Sequence, residues 1–461
     1  MTEFVGRTRE LEALQKAWQQ RASAFFPIYG RRRVGKSELI LRFLRDKPGI
    51  YFVGSKAPGD RHRRQLLQEA AGCLQEPLLA DYAARDWRAA LTAVVDRWKG
   101  PGKLAIVLDE FQWTAEASPD LPSVLQELWD RDWSKSGKVF LILCGSFLGF
   151  MEREVLGKKS PLYGRRTGQI LLQPFGYAEA AKFHPRWSAV DHARARFLCG
   201  GIPLYLRCLD DSLSVEHNLQ DRILDEFSVL FREPEFLLRE ELREVESYHA
   251  VLTTVAAGTS SAVEIARESG VDRSVAYYLD QLASLGYVER RYPLTDRPAP
   301  RRNVRFVLSD PLLRFWFRFV FPTLSFLRHA GPVRTLREKI RPELDSFFGV
   351  AFERLCREAL PALYRSEGVN ASYQIGDYWA PGVQIDVVGL RDDNVTDLGE
   401  CKWGAVRSVA AVAQELKDRL PLYDNRRNAT ISPRIFLRNP VRSAPSWCRV
   451  HSLEDLYRAG R

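Results

Sequence analysis

The 461 residues predict a multidomain α/β protein. It would have a parallel sheet at the N-terminal end, a winged helix-turn-helix in the middle and a smaller α/β unit at the C-terminal end. Three observations carry this. Residues 30–37 read Gly-Arg-Arg-Arg-Val-Gly-Lys-Ser, the G-x-x-x-x-G-K-[ST] pattern, between a strand-like and a helix-like run. A second apolar run, 103–108, ends in Asp109-Glu110. Beyond residue 246, short helices and an Arg-rich hairpin lead into a helix and two strands bearing Glu353, Asp386 and Glu400-x-Lys402.

The first strand is Ala24–Tyr29, and residues 38–44 form the helix that leaves the loop. Gly30 and Gly35 let the backbone curl so that its N–H groups face phosphate oxygens. The nucleotide-binding segment is Gly30, Arg31, Arg32, Arg33, Val34, Gly35, Lys36, Ser37 and Glu38. Lys36 would reach the β/γ-phosphates of ATP and Ser37 would hold Mg²⁺. A Gly/Arg-rich surface turn could show the same letters, but not the strand before and the helix after.

Residues 103–108 are apolar enough for a strand covered on both faces. At its end Asp109 would bind Mg²⁺, directly or through water, and Glu110 would act as general base toward the attacking water. A third strand, 138–143, runs into Cys144-Gly145-Ser146. Ser146 there could sense the γ-phosphate, and a plain strand-to-loop turn reads the same residues equally well. In the loop 160–166, Arg165 or Arg166 is a candidate finger toward a neighbouring subunit in a homo-oligomer; solvated arginines are the alternative.

Phe4-Val5-Gly6-Arg7, Glu10-Leu11, the phosphate loop, Leu108-Asp109-Glu110-Phe111-Gln112, Gly145-Ser146, Ser160–Arg165 and Gly200-Gly201-Ile202-Pro203-Leu204-Tyr205 together resemble archaeal and bacterial AAA-type ATPases. These belong to the STAND-related branch of P-loop ATPases, and the resemblance covers the chain to about residue 240. It implies an ATPase core over 1–185 and a helical lid over 186–245. It also implies that Arg7 lies near the adenine and that Pro203 opens the lid.

Composition agrees with a globular protein: 45% hydrophobic, 27% charged. No window approaches the ~18 apolar residues of a membrane span, and the N-terminus lacks a basic segment followed by an apolar core, so a cytoplasmic protein is expected. Seven cysteines without a C-x-x-C pair argue against disulfides and zinc. A net charge of +10 favours a polyanionic partner.

Residues 246–310 read as helix, short helix, turn, helix and β-wing. Ser261 caps the second helix, Gly270 closes it, and Asp272 is expected to cap the third. From 287 to 307, six arginines (290, 291, 297, 301, 302, 305) face Glu289 and Asp296, a net of +4. Duplex DNA is the expected partner. Arg273, Ser274 and Tyr277 would face the groove, and the wing arginines, Arg301 and Arg302 among them, would touch phosphates. The alternative is an inert packing module.

Residues 311–334 are expected to form an aromatic helix buried as core. Then come a helix over 347–360 with Glu353, a strand over 384–390 with Asp386, a strand over 397–403 with Glu400 and Lys402, and a helix over 408–416. Glu400 and Lys402 share a strand face, since residues two apart point the same way. On adjacent strands, Asp386 and Glu400 would bind a metal beside a scissile phosphate, and Lys402 would position or deprotonate the attacking water. Asp377 competes with Asp386 for the metal role. The order resembles the PD-(D/E)xK restriction-endonuclease-like fold, and the DUF234 domain appended to this ATPase family, over about 335–461. No proline precedes Asp386, a departure from the pattern. An active nuclease and a binding-only copy both remain readings of this domain.

Overall fold

The computed structural model describes residues 4–242, 245–272, 274–295, 303–441 and 443–460. They form two compact units, dividing between Pro174 and Phe175.

The first unit is built on five parallel strands: β1 (Ala24–Tyr29), β2 (Gly49–Val53), β3 (Leu104–Asp109), β4 (Val139–Gly145) and β5 (Ile170–Leu171), in the order β2-β3-β4-β1-β5. β1, β3 and β4 are buried along their whole length, which accounts for their unbroken apolar runs. Proline in such a strand looks paradoxical. Phe25 N, however, points sideways to Thr167 Oγ1 at 2.9 Å, and β5 pairs with β1 only from Ile28 onward. Pro27, two residues after Phe25, lacks its N–H on that same side, just before the pairing with β5 begins. The sequence reading finds β1, β3 and β4 and misses the edge strands. β2 is only half buried, and β5 is two residues long. A core including Phe25, Phe52, Trp87, Leu91, Ile106 and Leu141 fills one side of the sheet.

The second unit opens with the short helix Tyr177–Ala181, and helices Ala189–Cys199, Pro203–Arg207 and Val229–Glu241 come after it. Helices Val245–Ala257, Ala262–Ser269 and Val275–Ser284 follow, and then an antiparallel ribbon of β6 (Val288–Arg291) and β7 (Arg305–Leu308). The aromatic stretch is not one helix. It breaks into short helical segments at Pro322 and again at Gly331-Pro332, where Gly331 takes φ 79°. Phe315, Trp316, Phe317 and Phe319 are all buried.

A long helix, Arg341–Ser366, packs on a five-stranded mixed sheet: β8 (Tyr373–Ala380), β9 (Val383–Arg391), β10 (Val395–Lys402), β11 (Thr430–Leu437) and β12 (Arg449–Ser452). β8, β9 and β10 pair antiparallel; β10, β11 and β12 pair parallel. Helix Val409–Arg419 makes the crossover from β10 to β11. β10 shows the two-residue period directly. Its odd positions meet the long helix: Tyr364 OH donates to Asp397 at 2.6 Å, and Trp403, just past the strand end, lies 5.5 Å from the Phe352 ring. Its even positions meet helix Val409–Arg419, through Glu400–Arg419 and Lys402–Glu415.

Candidate nucleotide site and acidic centre

The phosphate loop is shaped by its two glycines. Gly30 sits at φ +155°, and a Cβ there would come within 2.3 Å of Leu172 O. Gly35 takes φ 90° and caps helix Lys36–Leu44. Only glycine meets both demands without strain. Val34 is fully buried and pins the loop; Arg31 and Arg32 are partly exposed and Arg33 is exposed. Lys36 is 7% exposed and donates to Gly30 O (2.9 Å) and Arg31 O (3.0 Å), across the cradle. Burial lowers its pKa, against the pull of Cys144, Glu110 and Asp109. Glu38 lies in the first helical turn, where a carboxylate complements the helix dipole.

Two strands away, β3 delivers the carboxylates. β4 lies between β1 and β3, so its end, with Ser146, falls between the loop and Glu110. Ser37 Oγ donates to Asp109 Oδ2 at 2.8 Å, and Tyr51 OH donates to the same oxygen. Glu110 N donates to Asp109 Oδ1 at 2.8 Å. Glu110 adopts φ 49°, which turns its carboxylate away from the strand direction. Ser146 Oγ donates to Glu110 Oε2 at 2.9 Å, and Gln112 Nε2 reaches the same atom. Ser37, Asp109, Glu110 and Ser146 thus form one connected polar chain beside the loop. Its hydroxyl and carboxylate oxygens are the hard donors that Mg²⁺ takes, and the loop with its helix N-terminus is the cradle that a polyphosphate takes.

Tyr51 and Gln112 were not among the expected site residues. The signals available were the β-rich run 49–53 beside an acidic strand end, and a glutamine two residues after Glu110.

Arg7 stands at φ 60° and is 5% exposed. Its Nη2 donates to Val34 O (3.1 Å) and Gln173 O (2.8 Å), so it braces the loop from behind. Arg165 is held by Asp130 through two N–H donors at 2.8 and 2.7 Å, and by Pro161 O and Tyr163 O. Arg166, its neighbour, is exposed. Pro203 is buried at the start of helix Pro203–Arg207 in the second unit.

In the three-helix region, Ser261 caps helix Ala262–Ser269 by accepting from Glu264 N, and Gly270 closes it at φ 72°. The next helix begins at Val275 with Ser274 before it, so Asp272 is not its cap. Ser274 is exposed, and Tyr277 is 58% exposed on the outer face. Arg273, Arg301 and Arg302 lie outside the described residues. The described wing arginines do not project freely. Arg290 pairs with Asp280, and Arg291 pairs with Asp377 at 2.6 Å. Arg305 stacks 4.4 Å from the Trp379 ring. Leu294 N to Asp377 O (2.7 Å) and Trp379 Nε1 to Asn303 Oδ1 (2.9 Å) complete the seam. The ribbon is docked on the β8–β9 hairpin because that hairpin supplies the carboxylate and the ring.

In the mixed sheet the last ladder pair of β9 and β10 is Val387–Gly399. One step further, Asp386 stands opposite Glu400, and its Oδ2 accepts from Cys401 N at 3.0 Å. Glu400 is clasped by Lys402 Nζ (2.9 Å) and Arg419 Nη1 (2.6 Å). Arg357 lies 4.0 Å from Glu353 and donates to the Asp386 carbonyl. Burial, then the Asp386 charge, pushes the Glu353 carboxyl well up; burial, then Glu400, does the same to Asp386. Burial works against the Lys402 ammonium, but Glu400 and Glu415 outweigh it and raise its pKa. Asp377 is committed to Arg291. Among the described residues no three carboxylate, imidazole or thiol groups converge tightly enough to hold a metal between them.

Known proteins match the chain in two stretches. Residues 4–206 match the family model of an ATPase domain found predominantly in Archaea. Residues 316–413 match DUF234, described as archaeal and bacterial proteins of unknown function. An uncharacterised protein of Methanocaldococcus jannaschii is 29% identical over 419 residues, 90% of this chain and 89% of its own. An uncharacterised ATP-binding protein of the same organism is 48% identical over 44 residues, 10% of this chain and 75% of its own. Among solved structures, a Walker-type ATPase of Pyrococcus abyssi superposes with a TM-score of 0.51 at 21% identity, covering 68% of this chain and 96% of that one. With the parallel sheet, the phosphate loop and these matches together, the chain is a P-loop ATPase that carries an archaeal-type ATPase domain followed by a DUF234 domain.

Proposed function

We propose that the chain couples binding and hydrolysis of ATP with Mg²⁺ to its hold on duplex DNA, and that its C-terminal acidic centre cleaves DNA in a metal-dependent way. The observation that carries the first part is the polar chain from Ser37 through Asp109 and Glu110 to Ser146, set against the loop. The loop N–H groups would hold the phosphates, and Lys36 would exchange two backbone carbonyls for phosphate oxygens. Mg²⁺, when bound, offsets charge on the β- and γ-oxygens. Glu110, oriented by Ser146 and Gln112, would take the proton of the attacking water.

Tyr277, exposed on helix Val275–Ser284, and Ser274, exposed just before it, support DNA contact, together with the net charge of +10. Asp386 opposite Glu400, with Lys402 on the face of Glu400, supports cleavage. Two carboxylates with waters are a sufficient donor set for Mg²⁺.

A second reading has its own observation. Glu400 is clasped by two cations and Asp377 by a third, which suits an ATP-switched DNA-binding regulator whose C-terminal domain does not cut. Relaxation of supercoiled plasmid with Mg²⁺ or Mn²⁺, with and without ATP, separates the two. Cutting by wild type that disappears in Lys402→Ala supports the nuclease, and the Lys36→Ala lane reports whether ATP governs it. Plasmid that stays supercoiled in every lane leaves the regulator.

A further inference from the structure

Neither the loop motif nor the acidic strand end assigns a role to Tyr51. It stands on the edge strand β2, two residues before Val53, the partner of Asp109 in the ladder. Gly54 N, donating to Asp109 O at 2.8 Å, fixes the end of β2 against the end of β3. The Tyr51 hydroxyl donates to Asp109 Oδ2, the oxygen that also accepts from Ser37 Oγ at 2.8 Å. Asp109 Oδ1 is taken by Glu110 N. Asp109 is 3% exposed, and a carboxylate accepts about four donors. With three places filled by groups from three elements, it is held in one orientation. A serine hydroxyl that donates its proton to Asp109 keeps its lone pairs free for a cation on the loop side.

We propose that Tyr51 is a positioning residue for ATP hydrolysis: its phenol fixes the Asp109 carboxylate so that Ser37 Oγ presents a lone pair to nucleotide-bound Mg²⁺. The phenol works as a donor only. Burial, then the Asp109 charge, raises its pKa far beyond the working range. Tyr51→Phe keeps the ring and removes the proton that Asp109 accepts. Losing an outer hydrogen bond of this kind costs about 10- to 100-fold in metal affinity.

The test is steady-state ATP hydrolysis by the full chain over a Mg²⁺ series, for wild type, Tyr51→Phe, Asp109→Asn and the double variant, with Lys36→Ala as the blank. ATP binding in EDTA, read by fluorescence of a labelled analogue, reports an intact site. The expected result is a half-maximal Mg²⁺ concentration about tenfold higher in Tyr51→Phe, with metal-free ATP binding unchanged and no further shift when the change is added to Asp109→Asn. A Tyr51→Phe curve that superposes on wild type overturns the assignment. So does an equal shift in the Asp109→Asn background, which would place the phenol's effect elsewhere. Wild-type turnover no greater than that of Lys36→Ala would instead remove the hydrolytic role on which the inference rests.

Discussion

At the scale of single residues, Glu110 is the sharpest case. Its carboxylate is held by Ser146 and Gln112 and is not needed to bind phosphates. Glu110→Gln should therefore lower kcat by about 10²- to 10⁴-fold while ATP still binds, whereas Lys36→Ala should weaken binding itself. Calorimetric titration beside a phosphate-release assay distinguishes the two; equal loss of binding in both would show that Glu110 is structural. Glu353 gives a pH-dependent prediction. Its folded pKa is raised by burial and by Asp386, so its stability contribution is present below the ordinary carboxylate range and lost as pH rises through the raised value. Glu353→Gln, a neutral mimic, should raise Tm at neutral and alkaline pH and leave it unchanged near pH 4; the same gain at every pH would contradict this. The loop residues were legible because the motif is local. Tyr51 was not, because the bond to Asp109 spans 58 positions and no spacing rule links a tyrosine to a distant carboxylate.

At the scale of elements, sequence pattern found the strands that are buried on both sides and missed those at the edges. Longer apolar runs announce β1, β3 and β4, whereas β2 brings only the short run Ile50–Val53 and β5 is two residues long. The wing shows a different limit. A run of arginines looks like a phosphate-binding surface until Asp377 and Trp379, more than seventy positions away in the chain, are folded against it. Arg291 is 19% exposed in its side chain and Asp377 11%, so the pair is shielded from water. Arg291→Ala should cost about 1–3 kcal/mol by leaving the Asp377 carboxylate without its donor. The Arg291→Ala, Asp377→Ala double variant should recover part of that loss in urea unfolding. Additive losses would mean that the pair carries no coupling and that the ribbon is held by Trp379 and Leu294 instead.

At the scale of the whole molecule, the proposed ATP control of DNA binding is a statement about coupling free energy, and coupling is reciprocal. If ATP changes the affinity for DNA by some factor, DNA must change the affinity for ATP by the same factor. The Glu110→Gln variant makes this measurable, because it should hold ATP without consuming it. DNA affinity by fluorescence anisotropy, with and without saturating ATP and Mg²⁺, gives one ratio; ATP affinity with and without saturating duplex gives the other. The expected outcome is two ratios that agree and exceed about fivefold, the lower end of typical coupling. Both must be taken at one salt concentration, since a chain of net charge +10 gains or loses DNA affinity steeply with ionic strength through counterion release. Salt dependence also tells apart the ways in which the wing could contribute. The described wing arginines are engaged within the chain, so they add phosphate contacts only if DNA competes with Asp377, Asp280 and Trp379 for them. Arg291→Ala should then leave the salt slope unchanged, while Tyr277→Ala weakens binding about equally at every salt concentration. A slope that falls by about one unit in Arg291→Ala would mean that the ribbon leaves its seat when DNA binds. Two ratios near one would leave ATP turnover and DNA binding as independent activities of one chain.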